Sequence, residues 1–287
     1  MSTAWVAASV RARALARRRL GAAGARRLAG SESVEQAVAT LADTPYGHDV
    51  GAVDDIETAQ HAVASSLLWN IRVLGGWVPR TGVPALRALA AAFEVANIDE
   101  HRRALRGERS GPLFRMGSFA TAWPRIAATT SLTDLRECLR TSAWGDPGSD
   151  ADRVVHLYLR VAWAARVAAT VPLTEPWMRT TVGLLLTRHH LITRRPIPPA
   201  VQRVADPLVG ADYLPVGDDL RQLWRAESSF WRDVEHDAFA ALRGSSFDMR
   251  PTVAALALLA VDAWRVRAAL ETAAGQHDDL ELFDAVA

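Results

Sequence analysis

The chain has 287 residues, 49% of them hydrophobic, which is enough to bury a large core and too apolar for wholesale disorder. Its 33 basic and 32 acidic residues leave a net charge of +1, a balance that singles out neither nucleic acid nor acidic substrates as partners. A lone cysteine, Cys138, excludes an internal disulfide and fits a reducing compartment, and no uncharged apolar run nears the roughly 20 residues that span a bilayer.

Charge is unevenly placed. Residues 1–31 carry Arg11, Arg13, Arg17, Arg18, Arg19, Arg26 and Arg27 and no acid. Beyond Arg267 only acids follow: Glu271, Asp278, Asp279, Glu281 and Asp284. A basic start and an acidic tail attract one another if the fold brings the termini together. The N-terminal arginines lead into no apolar segment of the kind a secretory leader needs. All basic residues are arginine, which with the abundant alanine reads as codon bias rather than function.

Taken in chain order, the apolar spacing predicts helix almost throughout: 3–20, 33–43, 54–74, 84–106, 131–140, 152–170, 176–194, 218–226, 229–243 and 252–274. Val63, Leu67, Ile71 and Leu74 make one apolar stripe, and Val154, Tyr158, Val161 and Ala165 make another. Ser33 with Gln36, and Asp54 with Glu57, are capping-box patterns. Stops fall at Gly75-Gly76, Gly107, Gly145 and Pro196. Loops are expected at 107–118, 143–150, 195–217 and 244–251, the stretch from Pro196 to Pro215 being least regular.

One stretch returns. Ser33-Val-Glu-Gln-Ala-Val-Ala-Thr-Leu-Ala-Asp-Thr-Pro-Tyr-Gly47 has a dim copy 98 positions on, running from Ser131 to Gly145. Ser33 aligns with Ser131, Leu41 with Leu139, Thr44 with Ser142, Tyr46 with Trp144 and Gly47 with Gly145. Pro84-Ala-Leu-Arg87 then matches Pro176-Trp-Met-Arg179 at an offset of 92. Residues 33–107 and 131–195 therefore read as two versions of one unit: a short capped helix, an aromatic-Gly turn and two long helices. Residues 1–32 and 196–287 would complete a degraded third lobe. Repeated helical units bury faces that none could bury alone.

Candidate chemistry is sparse. Asp54-Asp55 with Glu57 resembles half of a magnesium-binding aspartate motif of helical isoprenoid synthases, but Thr58 stands where a further carboxylate is needed; helix capping explains the acids as well. Asp278-Asp279 is a second acidic pair near the terminus. His189-His190 and His236-Asp237 invite a metal reading, yet adjacent helical histidines point about 100° apart. Cys138 lies between Arg136 and Arg140, which could activate it, or it is an inert buried thiol. Without lysine there is no Walker loop, and no Gly-x-Ser-x-Gly elbow occurs. No catalytic, cofactor or metal residue is assigned.

The ordered segments resemble one family. Ser9-Val-Arg-Ala-Arg-Ala-Leu15 is similar to the first helix of the C-type coupling subunits of V-type/A-type rotary ATPases, which are the d-type subunits of eukaryotic V-ATPases. The Ser33–Tyr46 stretch resembles that family's short helix with its Thr-x-Tyr turn. Phe93-Glu-Val-Ala-Asn-Ile-Asp99 resembles its recurring long helix, and Ala263 to Leu270 its closing helix. The resemblance implies an all-α fold of repeated bundles, a funnel of three similar lobes. It implies a non-catalytic coupling role, with no cofactor, linking the central shaft to the membrane rotor ring for ion transport. The protein would be cytoplasmic and peripheral, meeting the membrane only through its partners. Arg11, Arg13, Leu15, Tyr46, Asn97, Ile98 and Trp144 are the motif and interface candidates this carries over. Trp144 replaces the family's tyrosine, His189-His190 stand where the first unit has Asn97-Ile98, and residues 196–250 match poorly. The departures after residue 195 motivate one alternative, a stand-alone helical adaptor derived from the family, and Asp54-Asp55 motivates another, a helical magnesium-dependent isoprenoid-type enzyme.

Overall fold

A computed structural model describes residues 3–50, 55–210, 219 and 223–275 of the chain. Among these residues every regular element is a helix. In chain order they are α1 (Thr3–Arg17), α2 (Gly21–Ala29), α3 (Val34–Ala42), α4 (Gly47–Val50), α5 (Ile56–Gly75), α6 (Val83–Leu105), α7 (Trp123–Ile126) and α8 (Leu132–Arg140). There follow α9 (Asp152–Thr170), α10 (Glu175–Thr193), α11 (Pro199–Val209), α12 (Leu223–Arg243) and α13 (Met249–Ala273). Short 3-10 turns precede α6 and α10 and fall at Gly117–Phe119. No described helix is long and apolar enough to cross a membrane.

The chain divides into two compact units. The first joins its two ends, residues 1–82 with 231–287. Its central element is α13, which packs on α1, α2 and α5. Val266, Ala269 and Leu270 of α13 share a buried cluster with Ala25 and Leu28 of α2, Val38 and Leu41 of α3, and Ala59 and Val63 of α5. The second unit spans 83–230 and is built around α9, which packs on α6, α10 and α11.

Most predicted helices appear at their predicted places, and the departures have local causes. The expected helix 3–20 stops at Arg17, and after residues 18–20 the chain starts α2 at Gly21, whose left-handed φ of 72° glycine adopts at no steric cost. The expected 195–217 loop contains α11: Pro199 occupies its first turn, where a missing N–H costs nothing. The expected helices 218–226 and 229–243 are one helix from Leu223, which runs through Ser228-Ser229 with the Ser228 hydroxyl bonded back to the Trp224 carbonyl. Residues 218 and 220–222 of that expectation lie outside the described residues. The cap of α5 is Asp55, whose carboxylate accepts from the Thr58 N–H at 2.8 Å and the Thr58 hydroxyl at 2.7 Å. Asp54 and the pair Asp278-Asp279 lie outside the described residues.

Candidate functional site

The two copies of the repeated stretch have the same local build. α3 and α8 are nine residues each and begin 98 positions apart. Ser33 caps α3 by accepting from the Gln36 N–H, and Ser131 caps α8 by accepting from the Asp134 N–H. At the other end the Thr44 hydroxyl bonds the Leu41 carbonyl and accepts from the Tyr46 N–H, and the Ser142 hydroxyl does the same with Leu139 and Trp144. This turn aims each aromatic ring inward, leaving Tyr46 5% and Trp144 2% exposed.

Each ring ends on a buried carboxylate. In the second unit the Trp144 indole N–H donates to Glu94 of α6 at 2.8 Å. Glu94 is wholly buried and also accepts from the Thr121 N–H at 2.5 Å and the Ala122 N–H at 2.8 Å. In the first unit the Tyr46 hydroxyl donates to Asp262 of α13 at 2.8 Å. Asp262, 1% exposed, accepts from the Leu20 N–H at 2.9 Å and the Gly21 N–H at 2.6 Å. In both units, then, one carboxylate on a long central helix takes two consecutive backbone N–H groups and one aromatic donor. The backbone donors stand at the start of a helix, α7 or α2, where N–H groups have no intrahelical partner and the dipole favours a negative charge.

An arginine attends each clamp. The Arg166 guanidinium lies 4.9 Å over the Trp144 ring, and one of its terminal nitrogens is buried without a hydrogen-bond partner. Burial draws the Arg166 pKa down, opposed by the charge of Glu94. Arg19 stacks 4.7 Å over Phe239 and lines a void of about 20 Å³ beside Tyr46 and Asp262, room for about one water. Burial, and then the Asp262 charge, push the Tyr46 hydroxyl well above its ordinary pKa, so it stays a proton donor. The clamps are therefore saturated internal anchors. Their carboxylate oxygens are engaged by the protein's own donors, and their chemistry is to fix geometry.

Of the residues singled out by sequence, Leu15, Tyr46, Asn97, Ile98 and Trp144 are buried. Asn97 grips the backbone of Phe114, accepting from its N–H at 2.7 Å and donating to its carbonyl at 2.8 Å. Arg13 donates to the carbonyls of Leu242 and Gly244 and sits 5.8 Å from the Phe247 ring, which ties α1 to the loop after α12. Arg11 is partly buried, its Nε unpartnered. Structure thus brings Tyr46 and Trp144 into matching settings and leaves the others apart. Sequence reading missed Glu94 and Asp262, although each is a lone carboxylate at the end of an apolar run, 88–93 and 253–261.

The remaining candidates resolve individually. Among the described residues no group of three or more histidine, cysteine or acidic side chains is placed to hold a metal ion. Cys138 is buried. Its neighbour Arg136 bonds Asp146 and Asp150, and Arg140 bonds Glu137, so both guanidinium groups are taken by carboxylates. The His189 ring is partly buried, its Nε2 has no partner, and burial lowers its pKa. Arg102, 2% exposed, reaches Asp152 at 2.7 Å and braces α6 against α9 together with Arg106. Compared with known proteins, the chain matches no protein-family model and no curated protein.

Proposed function

We propose that this chain is a non-catalytic helical scaffold that works by being bound, and specifically the central-stalk coupling subunit of a V/A-type rotary ATPase. In that role it joins the central shaft to the membrane rotor ring. The observation that carries the reading is the doubled clamp: the same capped helix, the same turn and the same three-donor carboxylate, built once in each unit. A coupling part must transmit torque without bending, and buried charge-assisted hydrogen bonds between helices suit that demand. The family resemblance supplies the particular machine. The reading calls for three lobes forming a funnel around a socket for the shaft, with cytoplasmic placement through partners alone. Arg17 and Arg18, exposed at the end of α1, are then the candidates for the ring's polar loops in place of the internally engaged Arg13.

A second reading is a stand-alone adaptor descended from the same family. One observation favours it: the position of α10 that corresponds to Glu94 at the 92-residue offset is Leu186, wholly buried, so the clamp has no counterpart there. Purification of the tagged chain from its native host, with mass spectrometry of what accompanies it, separates the two. Shaft and ring subunits in fixed proportion support the coupling role. A defined partner set without motor subunits supports the adaptor. Purification of the chain alone, under conditions that keep other complexes intact, contradicts both.

A further inference from the structure

We propose that His156 is a pH-operated latch between α6 and α9: its neutral ring couples Asp99 to Arg160, and protonation of the ring uncouples Arg160. The two helices meet along facing rows of charge. α9 offers Asp152, His156 and Arg160, four residues apart and so on one face. α6 offers Asp99, Arg102 and Arg106, spaced three and four apart on one face. At one end of the rows Asp152 takes Arg102 and Arg106, each at 2.7 Å. At the other the His156 Nδ1 lies 2.8 Å from Asp99 Oδ2, and the Arg160 Nε–H donates to His156 Nε2 at 2.7 Å. An Arg160 terminal nitrogen stands 3.7 Å from the same Asp99 oxygen.

The tautomer of the ring follows from its partners. A guanidinium has donors only, so His156 Nε2 must supply a lone pair. The proton of the neutral ring is then on Nδ1 and is donated to the Asp99 carboxylate, which only accepts. A second proton, taken from solvent at Nε2, sets two donors against each other across the Arg160 contact and places two positive groups side by side. The Arg160 bond is lost, while the bond from Nδ1 to Asp99 becomes charge-assisted. Imidazole is the side chain whose charge changes near neutrality. The His156 side chain is 46% exposed, so a proton reaches it without separating the helices. The other end of the rows holds through the same change. Its guanidinium groups keep their charge. Burial raises the Asp152 carboxyl, but the Arg106 hydrogen bond and the Arg102 and Arg106 charges outweigh it and keep the group below its ordinary range; a charge on His156 adds to that hold. Of the other helices packed on α9, α10 brings His189 to Arg153, and α11 brings Arg203 to Tyr158. The latch therefore releases one link of the α6–α9 contact and leaves the Asp152 bridge shut.

Nuclear magnetic resonance of the full chain, labelled with nitrogen-15 in histidine and arginine and followed from about pH 8 to about pH 5, tests this. At the upper end the His156 ring should be in the Nδ1–H form and the Arg160 Nε–H should be as ordered as the backbone. On acidification Nε2 should gain a proton and the Arg160 Nε–H should lose its order, both with one midpoint. The side chains of Arg102 and Arg106 should keep theirs. His156→Gln should abolish the step at Arg160, and Asp99→Asn, which removes the charge that favours the protonated ring, should move the midpoint about one pH unit lower. An Nε2–H tautomer at the upper end overturns the proposal, as does a ring that stays neutral throughout or an Arg160 whose order is indifferent to the ring's titration. A step at Arg160 that survives in His156→Gln also overturns it, since another group, such as His189, then controls the arginine. Should either variant fail to fold, the tautomer and the shared midpoint in the unaltered chain decide. All these readouts lie within the second unit and are independent of whether the chain serves a motor.

Discussion

Glu94 and Asp262 are both buried and each holds three donors, so their loss has a definite cost. Glu94→Ala strands the N–H groups of Thr121 and Ala122 and the Trp144 indole; at about 1–3 kcal/mol per stranded donor with partial relaxation, it should destabilise by about 3–5 kcal/mol. Asp262→Ala should cost a similar amount, whereas Tyr46→Phe, which leaves both backbone donors bound, should cost about 1 kcal/mol. Urea denaturation of the three variants checks the order. A second residue-scale expectation concerns Glu235, which holds Arg265 through two hydrogen bonds of 2.7 and 2.8 Å. The Arg265 hydrogen bonds lead in holding the Glu235 carboxyl below its ordinary range, against the opposing effect of burial. A depressed carboxylate contributes stability that is fully present above the ordinary glutamate pKa and is lost as pH falls through the lowered one. Glu235→Gln should therefore be about 2 kcal/mol less stable near neutrality and show a smaller fall in stability on acidification. Parallel pH titrations of the urea midpoint would contradict this.

The elements show how much of this was legible in the sequence. Apolar periodicity and serine caps located α3, α5, α6, α8, α9 and α10 to within a residue or two, because each has a cap or a stop of its own. The repeat was visible in Ser33, Thr44 and Tyr46 against Ser131, Ser142 and Trp144, and those residues do the same work in both copies. What was not legible was what the aromatic rings reach. Periodicity reports which face of a helix is apolar, and it is silent about a partner 216 positions away, as Asp262 is from Tyr46. Proline misled at α11, because Pro199 opens that helix rather than breaking it. One stop is strained: α10 ends at Arg194, whose φ of 52° is left-handed without glycine. Arg194→Gly should stabilise by about 0.5–1 kcal/mol, seen as a higher thermal midpoint; an unchanged or lower midpoint would show that the arginine side chain has a compensating contact.

At the scale of the whole molecule, the first unit is closed by its two ends, and the second is continuous in sequence. The clamps follow that division. Glu94 precedes the helices it pins, α7 and α8, while Asp262 follows α2 and α3 by most of the chain's length. The first unit therefore lacks its anchor until α13 joins it, and the second carries its own. Damage should stay local: under native conditions Glu94→Gln should speed amide exchange within 83–230, and Asp262→Asn within 1–82 and 231–275. Uniform acceleration from either substitution would mean that the two units open as one.

The amides of Leu20, Gly21, Thr121 and Ala122 test the doubled clamp most directly. All four precede or open a helix, positions where N–H groups ordinarily face water and exchange fast. If the two carboxylates hold them as described, they exchange among the slowest amides of the chain, and each pair is released when its own carboxylate is replaced by alanine. Rapid exchange of these four in the intact protein, like that of exposed loop amides, would contradict the account.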